Sequence, residues 1–148
     1  MIQEICIALV GVGLFTASYT DIRWQKIWMP PLLAEIPILM ILNYIFGNAG
    51  GSLWIASVGC FALFYIISVA TGGQLGKGDA ALFGMTGAGV GLYSNLLLIY
   101  LTFLIAFVAA VFQVVVRRAD RKKQMPLAPM VLYAFVILEV MKLWKKTV

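Results

Sequence analysis

The chain is 148 residues long, 63% hydrophobic and 11% charged, with a net charge of +5 and no histidine. An ordinary soluble domain carries about 25% charged residues, so this composition excludes a water-soluble globule, and the absence of histidine excludes Ser-His-Asp triads, Cys-His dyads and the usual His-rich zinc sites. The positive balance does not point to nucleic acid, because Lys and Arg stand at the ends of apolar runs, as the positive-inside rule requires of a membrane protein.

Charge-free stretches run from Glu4 to Asp21, from Glu35 to Lys77, from Asp79 to Arg117 and from Lys123 to Glu139. A bilayer core of about 30 Å takes about 20 apolar residues per helix, so the pattern predicts an all-α, polytopic membrane bundle of six helices in a single domain, 1–148. The first helix is predicted over about 2–20. It lacks a basic n-region, and no small-residue cleavage site precedes Asp21, so it reads as a retained span. The second is predicted over about 31–46, with Glu35 near its cytoplasmic end, and a Gly-rich turn at 48–52 leads to the third, about 53–71.

A second Gly-rich turn, Gly72 to Gly78, precedes the fourth helix, about 79–92. Its Gly84, Gly87, Gly89 and Gly91 lie among Ala80, Ala81 and Ala88, and small residues at such spacing let helix backbones approach closely inside lipid. The fourth helix is therefore expected at the bundle centre. A turn over 92–95, a fifth helix over about 95–116, a basic loop from Arg117 to Lys123 and a sixth helix over about 127–144 complete the chain. Arg23, Lys26, Lys77 and the basic loop share one side, which the positive-inside rule makes cytoplasmic; Lys142, Lys145 and Lys146 then fall outside. Trp24, Trp28, Trp54, Tyr133 and Trp144, near the predicted ends, read as interfacial anchors. Cys6 and Cys60 lie in apolar runs without a second cysteine nearby and read as buried small hydrophobes.

The acidic residues decide which chemistry is open. Asp120 falls in the basic loop and reads as a solvated charge, Glu139 pairs with Lys142 three residues on, and Glu35 reads as a lone interfacial glutamate, with reception of a substrate lysine as the alternative. Asp21 closes the first helix and Asp79 opens the fourth, both at the same membrane face, where ionisable groups are costly and line functional pathways. Two aspartates brought to one level of a bundle can divide acid and base work: one, ionised, takes a proton from water, while the other, protonated, polarises a carbonyl. Like charges in close proximity resist double ionisation, so the pair titrates as a unit. Asp79 also suits a helix cap, and Asp21 a local pair with Arg23 or Lys26.

Gly76-Lys77-Gly78-Asp79 is a GxGD motif, and Asp21 is followed six residues later by Ile27. With six short spans, this arrangement resembles the type IV prepilin peptidases, integral-membrane aspartyl proteases whose relatives include the preflagellin peptidases. The resemblance implies that Asp21 and Asp79 form the catalytic pair, that Gly76 and Gly78 let the backbone turn tightly and admit an extended substrate, and that no metal or other cofactor takes part. It implies a prepilin-like substrate with a short basic leader and a hydrophobic helix, cut at the cytoplasmic face of the cell membrane. Trp28-Met29 replaces the Pro-Asn often seen after Ile27 in the family, and Ala81 stands where a lysine often follows the motif. The paired cysteines associated with methylating the product are not found, so peptidase activity alone is expected; the short form is similar to the peptidases of tight-adherence (Flp) pilus systems. Two other readings compete: a Ser-Lys protease using Ser68 and Lys77, and a small transporter or assembly subunit in which Asp21 and Asp79 are proton or ion sites.

Overall fold

In the computed structural model, residues 2–46, 51–72, 75–115 and 126–147 are described. Among them the chain forms six helices and no strand: α1 (Ile2–Trp24), α2 (Met29–Phe46), α3 (Ser52–Ala70, with a π-helical turn over Ile55–Gly59), α4 (Lys77–Val90), α5 (Leu92–Val115) and α6 (Ala128–Thr147). Gln3–Trp24, Ser52–Ala70 and Leu92–Gln113 are long and apolar enough to cross a membrane, and Met29–Ile45 is a shorter apolar helix. Exposed Phe, Leu, Ile and Val side chains cover α1, α3 and α5, a distribution suited to hydrocarbon as solvent. The six-helix membrane bundle expected from the hydropathy is thus the observed fold.

Several boundaries differ from those expectations. The first helix runs on to Trp24, one turn past Asp21, because a charged side chain interrupts the hydropathy without interrupting the backbone ladder. It ends where Gln25 takes up φ 51° and its N–H bonds to the Asp21 carbonyl. The second starts at Met29, since Pro30 and Pro31 occupy first-turn positions whose N–H groups have no intrahelical partner. The turn expected over 92–95 contracts to Gly91, whose φ of 80° reverses the chain between α4 and α5. Most of the predicted turn at 48–52 and all of the basic loop, Asp120 included, lie outside the described residues.

α4 is the hub, packed against α1, α2, α3 and α5. Every residue from Asp79 to Gly89 is buried. At 14 residues it is about 21 Å long, shorter than the bilayer core, and its neighbours rather than lipid surround it. Its glycines explain the density. A Cβ at Gly87 would collide with the Ala56 carbonyl of α3, and one at Gly89 with Val10 of α1.

Next to Gly87, Asn95 of α5 donates to the Phe83 carbonyl at 3.2 Å and reaches the Ala56 carbonyl and Cys60 Sγ. Its own Oδ1 accepts the Thr86 hydroxyl at 2.7 Å. Asn95, Thr86 and Cys60 are all buried, so this cluster ties α5 and α4 to the π-helical turn of α3, where the regular carbonyl ladder shifts. Phe64 and Phe83 pack beside it with ring centroids 4.5 Å apart.

Candidate functional site

Three helix ends meet at one end of the bundle: the C-terminal turn of α1 and the N-termini of α4 and α6. Asp21 and Asp79 lie there, 7% and 8% exposed, and their carboxylates are within electrostatic range of each other. Each is also held by a backbone amide at the start of a helix. Asp79 occupies the third position of α4, and its Oδ2 accepts the N–H of Gly76 at 3.1 Å. Gly76 has no side chain, so only the carboxylate half of a capping box exists. Asp21 Oδ2 accepts the N–H of Ala128, the first residue of α6, at 3.0 Å. Exposed amides and the helix dipole favour an anion at both places, opposing the mutual repulsion and the burial of the two carboxylates.

The local sequence explains these placements. Gly72, with φ 65°, turns the chain out of α3, and Gly76 is extended (φ −63°, ψ 137°) before α4 begins at Lys77. At the start of α6, Pro129 falls in the first turn, where a missing N–H costs nothing, and the free N–H of Ala128 is directed at Asp21. The alternatives considered for Asp21 and Asp79 separate here. Arg23 donates to the Tyr19 hydroxyl at 2.7 Å and lies 5.3 Å from the centroid of the Trp24 ring, so the partner of Asp21 is α6. Asp79 caps its helix and faces Asp21 together.

The two motif glycines differ in their surroundings. Gly76 is exposed beside Asp79. Gly78 lies against Ile27 of the α1–α2 connection, where a Cβ on Gly78 would come 2.6 Å from the Ile27 Cβ. Close packing therefore requires glycine at 78 whatever else it does, and it docks the segment after Asp21 onto the segment carrying Asp79. Lys77 is exposed. Ser68, considered with Lys77 as a protease pair, is fully buried and donates to the Leu75 carbonyl.

Glu35, in the second turn of α2, is half-buried. Its carboxyl points into the bundle, against Gly13 of α1 and beside Met85 of α4, and Oε2 is buried with no hydrogen-bond partner among the described residues. Glycine at 13 leaves the space it occupies. Glu139 and Lys142 form the expected ion pair at 2.8 Å, and Cys6 and Cys60 are buried free thiols. An apolar groove of about 590 Å³ between α2 and α3, lined by Ile36, Met40, Tyr44, Leu53 and Trp54 among others, holds neither aspartate.

A bundle of apolar helices gathered around two buried carboxylates defines a polytopic membrane protein with a candidate acid–base centre at one end. Comparison with known families specifies it further. The sequence model of the type IV leader peptidase family matches residues 8–114, which include both aspartates and the whole of α4, so the chain belongs to that family and is a membrane peptidase. The match stops short of α6, whose amide binds Asp21. No curated protein and no solved structure matches the chain significantly.

Proposed function

We propose that the protein is an aspartic endopeptidase, a single peptidase domain that removes the short leader from prepilin-like proteins at the cytoplasmic face of the cell membrane. The observation that carries this reading is the approach of Asp21 and Asp79, from segments far apart in the chain, at one end of the bundle. Membership of the leader peptidase family supports both the reaction and the substrate class.

In the proposed reaction one carboxylate is ionised and the other protonated. The ionised group takes a proton from a water held between them as the water oxygen bonds to the scissile carbonyl carbon. The protonated group donates to the carbonyl oxygen. Collapse of the tetrahedral intermediate breaks the C–N bond, and the leaving nitrogen takes up the proton gained from water. Neither a metal nor another cofactor is needed. Gly76, exposed next to Asp79, is the place where an extended substrate backbone can approach without a side chain in the way, whereas Gly78, expected from the motif to share this role, faces Ile27. The substrate's hydrophobic helix lies in the bilayer beside the bundle. Because both the leader and the enzyme's cytoplasmic segments are basic, packing of that helix rather than charge attraction supplies the specificity.

Co-expression with a prepilin-like substrate tests the reading. Asp21→Asn and Asp79→Asn, made separately, are each expected to abolish processing with membrane insertion unchanged. Cleavage that persists in both variants would remove the aspartates from the chemistry and favour their use as proton or ion sites.

A further inference from the structure

Resting on the peptidase reading, we propose that Ser68 is a positioning residue that aims Asp79 by clamping the peptide group between Leu75 and Gly76. Ser68 lies near the end of α3 and is completely buried. A serine inside a helix ordinarily bonds back to a carbonyl of its own preceding turn, as Thr16, Thr20 and Thr102 do here. Ser68 instead donates across the Gly-rich connection to the Leu75 carbonyl, at 2.5 Å.

That carbonyl and the N–H of Gly76 belong to one planar peptide unit. The carbonyl is held by Ser68 and the N–H by Asp79 Oδ2, at 3.1 Å. The peptide is thus fixed from both sides, and its orientation sets the direction from which the Asp79 carboxylate is gripped. The two bonds also reinforce each other, because a hydrogen bond to the carbonyl polarises the amide and makes its N–H a better donor. The connection needs such a clamp: Gly72 and Gly76 lie in it, and glycine gives the backbone the most freedom to move. Ser68 touches neither aspartate, so it acts through the peptide.

The test uses purified full-length protein in detergent and compares wild type, Ser68→Ala and Ser68→Thr. The alanine variant removes only a hydroxyl, and the threonine variant keeps it. Two readouts are taken: hydrogen exchange at the Gly76 amide, and steady-state cleavage of a prepilin-like substrate across pH. In Ser68→Ala the Gly76 amide is expected to exchange about tenfold faster. kcat is expected to fall about tenfold with KM within twofold. The limb of the pH profile contributed by Asp79 is expected to move to higher pH, since a weaker donor favours the carboxylate less. Ser68→Thr is expected to restore all three, which a general loss of packing would not do.

Unchanged exchange at Gly76 in Ser68→Ala would overturn the clamp. Faster exchange with wild-type kcat and pH profile would overturn its role in positioning. If the wild-type protein leaves the prepilin intact, the peptidase reading fails by itself, and the exchange measurement still decides whether Ser68 holds the peptide.

Discussion

Replacing Gly78 with alanine separates two reasons for the glycine in the GxGD motif. The added Cβ would lie 2.6 Å from the Ile27 Cβ, with Ile27 Cγ2 at 3.1 Å and Cδ1 at 3.4 Å. Carbon atoms in contact sit about 3.5–4.0 Å apart, so the connection between α1 and α2 must retreat by about 1 Å. Overpacking of this kind costs about 1–3 kcal/mol, which a membrane bundle of this size is expected to survive folded. The displacement, however, falls between Asp79, the next residue, and the segment that follows Asp21. A misplacement of about 1 Å at a catalytic group can lower the rate about a hundredfold, so Gly78→Ala is expected to lose between about tenfold and a hundredfold in prepilin cleavage. Ile27→Gly removes the colliding atom, and the double variant is expected to recover most of the loss. Cleavage rates of the four proteins, normalised to membrane-inserted protein, complete the cycle. Full activity in Gly78→Ala would refute both reasons for the glycine, and losses that simply add in the double variant would refute the packing argument and leave substrate access.

Other consequences follow from the same geometry. Gly87→Ala drives a methyl into the Ala56 carbonyl, a rigid backbone atom, and is expected to lower the thermal midpoint in detergent more than Gly11→Ala, where the nearest atom is Phe135 Cε1 at 3.7 Å. Asn95→Leu leaves the Thr86 hydroxyl and the α3 π-turn without their shared partner; a loss of about 1–3 kcal/mol is expected, read as a lowered unfolding temperature with no change in where the substrate is cut. Lys142→Ala breaks a pair on the exposed side of α6 and is expected to shift stability by less than about 1 kcal/mol. Glu35→Gln leaves the space beside Gly13 filled but removes a carboxyl with an unpartnered oxygen, so thermal stability is expected to hold or rise, while Gly13→Ala, which collides with that carboxyl, is expected to lower it.

The parts of the structure that follow from hydropathy and residue size were legible in the sequence. The six helices follow from charge-free runs, and the central position of α4 follows from Gly84, Gly87 and Gly89, whose lack of side chains serves helix contact alone. The aspartates were legible because a carboxylate at the end of an apolar run is costly unless something holds it. What holds them was only half visible. A capping role for Asp79 follows from its distance to Gly76, but the amide of Ala128 is separated from Asp21 by more than 100 residues, and no local pattern in the sequence joins them. Ser68 carried no local signal, because its partner is a backbone carbonyl across a glycine turn. The inward direction of Glu35 was not legible for a different reason: position along α2 gives depth, whereas direction depends on which neighbour leaves room, and Gly13 does.

The central claim is that Asp21 and Asp79 converge closely enough to share one water molecule. Cross-linking tests it directly: Asp21→Cys and Asp79→Cys are combined in protein whose Cys6 and Cys60 are replaced by serine, and membranes are treated with a short thiol-bridging reagent. Convergence predicts a peptide joining positions 21 and 79 within one chain, found by mass spectrometry, and no such product when Asp79→Cys is paired instead with Asn43→Cys at the far end of α2. Failure of 21 and 79 to join, with both thiols shown to be reactive, would contradict the account.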